Sequence, residues 1–101
     1  MKFLIQIRSD SELIGYEAIA LGFTLASFDH QVQFYFTDGS HLVLNDPQSR
    51  IYGMIQSLDL YDLPKAWADF APDIRLDDVI GDVVVPTDAV CSTDFDSVLV
   101  F

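Results

Sequence analysis

Residues 2–21 read KFLIQIRSDSELIGYEAIAL and contain the junction between a strand and a helix. The apolar run Phe3 to Ile7 is typical of a strand buried inside a parallel sheet. Ser9 and Glu12 have the spacing of a capping box, which predicts a helix start directly after the strand. The pattern then predicts a helix over residues 13–28. A strand followed at once by a helix favours an α/β fold.

The rest of the chain continues this alternation of strands and helices. Residues 31–36 alternate polar and apolar side chains and predict a second strand, which the turn Thr37-Asp38-Gly39-Ser40 follows. Asp46 as N-cap and Pro47 as first residue predict a helix that Pro64 ends. Its apolar face is Ile51, Met54, Ile55 and Leu58. Further strands are predicted at residues 65–70, 83–85 and 97–101, with a helical turn at 77–81.

Alternating strands and helices predict one domain, residues 1–101, with a three-layer α/β/α fold and a mostly parallel sheet of about five strands. The length suits a single domain. Half of the residues are hydrophobic, which excludes a disordered chain. The segment 86–96 is barely long enough for a parallel crossover between the last two strands.

The charge of the chain restricts its partners. Sixteen acidic residues against five basic ones give a formal net charge of −11. Such a surface disfavours direct contact with nucleic acid and docking on an anionic membrane. The first apolar run is too short for a signal peptide or a membrane span. With a single cysteine, Cys91, the chain forms no internal disulfide, and we expect a cytoplasmic protein.

The predicted helix over residues 13–28 is apolar on almost every face. A chain of this length can hardly cover such a helix alone, so we expect a partner subunit on it. Aromatic side chains dominate interfaces as well as cores. The candidate interface residues are Tyr16, Ile19, Phe23, Tyr52, Tyr61 and Trp67.

Three stretches of the chain together resemble the DsrE/DsrF-like sulfur-relay family, and in particular its TusC (DsrF) branch. They are Gly15 to Leu21, Gln33 to Gly39, and Leu58 to Asp62 followed by Ala66-Trp67. The end of the chain, Asp96 to Phe101, is similar to the last strand of the family. None of these motifs is specific alone, and their order and spacing carry the resemblance.

The resemblance implies a parallel α/β subunit that assembles with TusD-like and TusB-like sister chains into a heterohexamer. That assembly passes a persulfide sulfur toward thiolation of the tRNA wobble uridine. The relay cysteine lies just after the third strand of the TusD-like chain, and the matching stretch here, Trp67 to Ala71, has none. The resemblance therefore implies a non-catalytic subunit. The chain departs from the branch by being shorter after Leu76.

Three other roles for the chain remain open. The first is a free-standing homo-oligomeric binding module of the same fold, which the shortened C-terminal part favours. The second is a relay subunit of sulfur oxidation, because the resembling family serves both pathways. The third is a sulfurtransferase that uses Cys91. Acidic neighbours of Cys91 disfavour a thiolate there, so an ordinary connector cysteine is the preferred interpretation.

Other candidate sites have weak patterns, and we expect neither a metal nor a cofactor. His30 and His41 lie eleven residues apart without metal-ligand spacing. The turn Asp38-Gly39-Ser40 could hold a ligand at the sheet edge, but a glycine-rich phosphate loop is missing after the first strand. The late aspartates do not fit a calcium loop and indicate a solvated acidic face. They are Asp69, Asp73, Asp77, Asp78, Asp82, Asp88, Asp94 and Asp96.

Overall fold

The first strand of the chain lies inside the sheet. A computed structural model describes residues 1–87 and 90–101. Strand β1 (Lys2–Ile7) pairs on one side with β2 (Gln31–Thr37) and on the other with β5 (Ser97–Val100). Its apolar run has neighbours on both sides, with Ile5 opposite Phe34 in β2 and Leu99 in β5.

All five strands of the sheet are parallel. Strand β3 (Ala66–Asp69) adds to β2, and β4 (Val84–Pro86) adds to β3, which gives the order β4-β3-β2-β1-β5. The predicted α/β class and the five-stranded parallel sheet are confirmed. The arrangement of elements is consistent with the expected three-layer α/β/α fold.

The helices pack against one another and against the sheet. They are α1 (Glu12–Ser27), α2 (His41–Leu44), α3 (Arg50–Met54) and α4 (Asp78–Gly81), with a 3₁₀ segment at Ile55–Tyr61. Alternate strand residues point into this layer and form one core with the buried helix residues. The fully buried side chains of that core include Ile5, Ile7, Phe34, Phe36, Ile19, Ile51, Ile55 and Ile80.

Helix α1 buries a single stripe of mostly small residues, namely Gly15, Ala18, Ile19 and Gly22. Small side chains allow the helix to lie close to the aromatic core. The apolar residues on its outer side stay exposed in the single chain: Leu13 is 58% exposed, Ile14 40% and Leu21 37%. The chain therefore covers one stripe of this helix, and its outer side remains available to a partner.

The second face of the sheet is crossed by the connection from β4 to β5. The connections from β1 through β4 all add strands in one direction along the sheet, whereas the connection from β4 to β5 returns in the opposite direction. Right-handed crossovers therefore place this return connection on the opposite face from the others. The described part of this return, residues 90–96, contains one 3₁₀ turn at Ser92–Asp94. Phe95 packs edge-on against Trp67 with ring centroids 6.0 Å apart.

Two predicted helix starts are wrong by a few residues. The cap of α1 is Ser11, whose hydroxyl accepts from the amide of Ile14, whereas the Ser9 hydroxyl accepts from the amide of Ser11. The cap of α3 is Ser49 and not Asp46, whose carboxylate instead closes a local turn by accepting from the amide of Gln48. Both true caps are serines close to the predicted ones.

No helix in residues 1–87 or 90–101 is long and apolar enough to cross a membrane.

Candidate functional site

A cleft of about 610 Å³ lies beyond the carboxyl ends of β3 and β4. Residues 68–72, from the end of β3 into the following loop, form one wall, and Gly81, Val84, Pro86 and Thr87 contribute on the side of α4 and β4. Ligands of open α/β sheets bind outside the carboxyl ends of the strands, which makes this cleft the first candidate site. Sequence analysis did not identify it, although the strand order would have located it.

The lining of this cleft is largely apolar, with Phe70, Ile74 and Leu76 opposite Val84. Among the described lining residues Asp69 alone is charged; it is exposed and accepts a hydrogen bond from the Tyr35 hydroxyl at 3.4 Å. The Thr87 hydroxyl donates to the carbonyl of Val85 at 3.0 Å. The lining residues that the structure describes, all within 68–87, include no cysteine, histidine or basic side chain. Their chemistry suits binding of an apolar group.

The turn after β2 is satisfied by its own neighbours. Arg8 donates through Nε to Asp38 Oδ2, and the Thr37 hydroxyl donates to the same oxygen at 3.3 Å. The hydrogen bond from Arg8 is the main cause that lowers the pKa of Asp38, and burial opposes it. Ser40 is buried and donates to the Thr37 carbonyl at 2.8 Å. The turn proposed to hold a ligand therefore uses its polar groups internally.

Cys91 is exposed and lies outside the cleft. Its Sγ is 2.8 Å from the Thr93 hydroxyl in the return segment. Of the stretch that the family resemblance marks as the relay position, Trp67 to Ala71, residues 68–71 line the cleft, whereas Trp67 packs against Phe95. The structure thus places the one thiol of the chain and the marked position in different elements.

The two histidines lie at opposite ends of β2. His30 Nδ1 is 3.2 Å from the N-terminal amine, and its ring packs edge-on against Phe3. His41 Nδ1 is 3.0 Å from the carbonyl of Asp38, and its ring packs against Phe70. Among the described residues no group of three or more histidine, cysteine or acidic side chains is placed to hold a metal. Asp88, one of the late aspartates, lies outside the described residues.

The six candidate interface residues do not form one patch. Ile19 is fully buried inside the chain, which leaves it unavailable to a partner. Phe23 stacks on Tyr61 at 4.1 Å between ring centroids, and Tyr61 is 41% exposed. Tyr16 lies half-buried under the guanidinium of Arg50, 4.4 Å from ring centroid to Cζ.

The other two interface candidates lie apart from this group. Tyr52 is half-buried, and its pKa is raised by burial and then by the nearby carboxylate of Asp77. Trp67 is half-buried on the opposite face of the sheet, under Phe95. Tyr16, Phe23 and Tyr61 therefore keep exposed or half-exposed area near α1, whereas Trp67 serves the packing of the return segment.

No protein-family model and no curated protein matches the chain. The fold and the geometry of the cleft are thus the observations on which a function can be argued.

Proposed function

We propose that the chain is a non-catalytic, TusC/DsrF-like subunit of a cytoplasmic sulfur-relay complex that supports persulfide transfer toward tRNA wobble-uridine thiolation. The observation that carries the proposal is the cleft wall at the end of β3. The stretch that the resemblance matches to the relay position of the sister chain, Trp67 to Ala71, reads WADFA and has no cysteine, and its residues 68–71 line the cleft. A subunit with this wall offers a binding surface there and leaves the sulfur chemistry to a partner.

Two further features support the proposal. The outer side of α1 exposes Leu13 and Leu21, which gives sister subunits an apolar surface to cover. The formal charge of −11 assigns any contact with tRNA to another subunit, because phosphates are bound by lysine and arginine.

The test is co-expression of the chain with TusD-like and TusB-like chains from the same genome. We expect a stable heteromeric complex by native mass spectrometry, with sulfur transfer to an acceptor that depends on the cysteine of the TusD-like chain. The variant Cys91→Ser should retain at least about half of the transfer rate, because Cys91 lies away from the cleft. Failure to form a complex, or loss of transfer in Cys91→Ser, would refute the proposal.

The same preparation separates the alternatives. A homo-oligomer of the chain alone, unaffected by the sister chains, would favour the free-standing binding module. An added sulfur atom on Cys91 after treatment with a persulfide donor, measured by intact mass, would favour a sulfurtransferase. The level of thiolated tRNA in cells lacking the chain distinguishes the two pathways: a lower level favours a role in tRNA modification, and an unchanged level favours sulfur oxidation.

A further inference from the structure

We propose that the cleft beyond β3 and β4 binds a basic peptide segment of a partner protein, with an apolar side chain inserted between flanking arginines or lysines. The cleft volume of about 610 Å³ lies in the range of ordinary ligand pockets. Phe70, Ile74, Leu76 and Val84 supply an apolar lining for the inserted side chain. This inference concerns the chemistry of the bound segment and does not require a sulfur-relay function.

The negative charge of the segment that lines the cleft favours a positively charged partner. The segment 68–87, which supplies the lining, carries five aspartates against one basic residue, Arg75. All five carboxylates are exposed, and Asp69 itself lines the cleft. Clustered charge of one sign attracts and orients a partner of the opposite sign. The five aspartates are Asp69, Asp73, Asp77, Asp78 and Asp82.

The same features argue against other occupants. In the described part of the lining, only Asp69 and Thr87 have polar side chains, and the Thr87 hydroxyl already donates to a backbone carbonyl. A small polar metabolite would find few groups to orient it, and a phosphate would meet the carboxylates. A second copy of the chain also carries a formal charge of −11, which opposes its approach to the five aspartates of segment 68–87. A basic segment with an apolar anchor fits both the apolar lining of the cleft and the negative charge of segment 68–87.

Gly81 offers a direct way to fill the cleft. It lines the cleft, and a Cβ added there meets no atom within 4 Å. Gly53 in α3 is equally open and does not line the cleft, which makes it a matched control. We therefore compare Gly81→Phe with Gly53→Phe, since both add the same ring to a helix without a clash at Cβ.

The experiment measures fluorescence anisotropy of a labelled peptide with central leucines flanked by arginines. We expect binding to the wild type with a Kd of about 10–100 μM, and at least about tenfold weaker binding to Gly81→Phe. Gly53→Phe should bind as the wild type does. Equal binding to the wild type and Gly81→Phe, or no binding to the wild type, would overturn the proposal.

The same assay tests separately the contribution of charge and the contribution of the inserted apolar side chain. Asp69→Asn should weaken binding about twofold to fivefold, whereas Asp59→Asn, exposed and outside the cleft, should not. Raising the salt concentration from about 50 to 300 mM should also weaken it. Equally tight binding of a glutamate-flanked peptide, or of an arginine peptide with alanines in place of leucines, would contradict the proposal. Because no sister chain is present, these outcomes are independent of complex formation.

Discussion

Gly22 shows how a single residue controls the distance between α1 and the sheet. A Cβ added at Gly22 would lie 2.6 Å from Cε1 of Phe34 and 3.2 Å from Cδ1 of Ile5. Both neighbours are buried core side chains and have little room to move. The absence of a side chain here is therefore a packing requirement of the core.

We predict that Gly22→Ala lowers the free energy of unfolding by about 1–2 kcal/mol, because overpacking outweighs the gain in helix propensity. Gly53→Ala is the control: its Cβ meets open space, and we expect a gain of about 0.5–1 kcal/mol. Urea unfolding followed by circular dichroism measures both. A Gly22→Ala variant as stable as the wild type would mean that α1 can shift without cost.

The pair of Arg8 and Asp38 links the ends of β1 and β2. Arg8 lowers the pKa of Asp38 in the folded chain, so the charged carboxylate favours folding above its ordinary pKa of 3.8. This contribution is lost as the pH falls through the lowered pKa of the folded state. Asp38 has a positive φ of 54°, in the left-handed region. Asparagine tolerates this region as aspartate does, so Asp38→Asn removes the charge without straining the backbone.

We predict that Asp38→Asn unfolds at lower urea concentration than the wild type at pH 7, and that this difference shrinks as the pH falls below 3.8. Asp59→Asn, which removes an exposed carboxylate elsewhere, should show no comparable convergence. The measurement is the urea midpoint as a function of pH. A difference that grows as the pH falls would contradict the sign of the pKa shift.

At the scale of elements, the short helix α3 depends on one buried cap. Ser49 is 6% exposed; its hydroxyl donates to the Val43 carbonyl and accepts from the amides of Ile51 and Tyr52. Ser11 caps α1 through one longer contact of 3.4 Å in an exposed position. Two serines with the same role therefore differ in burial and in the number of bonds they make.

We predict that Ser49→Ala lowers the free energy of unfolding by about 1.5–3 kcal/mol, since it removes a cap and leaves buried backbone groups unpaired. Ser11→Ala should cost only about 0.5–1 kcal/mol. Thermal unfolding of the two variants under the same conditions gives the comparison. Equal losses would show that burial of the Ser49 cap adds nothing.

The element pattern was largely predictable from the sequence. Apolar runs and the spacing of Ile51, Ile55 and Leu58 located the strands and the α3 region, because burial acts directly on these periodicities. The helix starts were not predictable to the residue, since Ser9, Ser11, Asp46 and Ser49 are all good caps and packing selects among them. The cleft was missed because its walls come from segments that meet only in the folded sheet.

At the scale of the whole molecule, the return segment holds the second face of the sheet by a few contacts. Asp96 and Lys2 are joined by two hydrogen bonds: the Lys2 amide donates to the Asp96 carboxylate, and the Asp96 amide donates to the Lys2 carbonyl. Lys2 Nζ lies 5.1 Å from the ring centroid of Phe95, which packs on Trp67. Phe95 therefore connects the segment to both the first strand and the third.

We predict that Phe95→Ala shifts the emission of Trp67, the only tryptophan, to longer wavelength and increases its quenching by acrylamide. The free energy of unfolding should fall by about 1–3 kcal/mol, less than for a fully buried phenylalanine. Phe28→Ala is the control, because Phe28 is 71% exposed. Unchanged emission in Phe95→Ala would show that the return segment does not shield Trp67.

The position of β1 between β2 and β5 has a consequence for how the chain reaches its native state. The first strand in sequence has the last one as a neighbour, with Phe3 opposite Ser97 and Gln6 opposite Val100. During synthesis, the edge of β1 that pairs with β5 can therefore form its hydrogen bonds only after residues 97–100 have emerged. Such distant pairing slows folding and leaves an apolar edge open to wrong neighbours in the meantime. A nascent chain of this design benefits from partners or chaperones that reach it early.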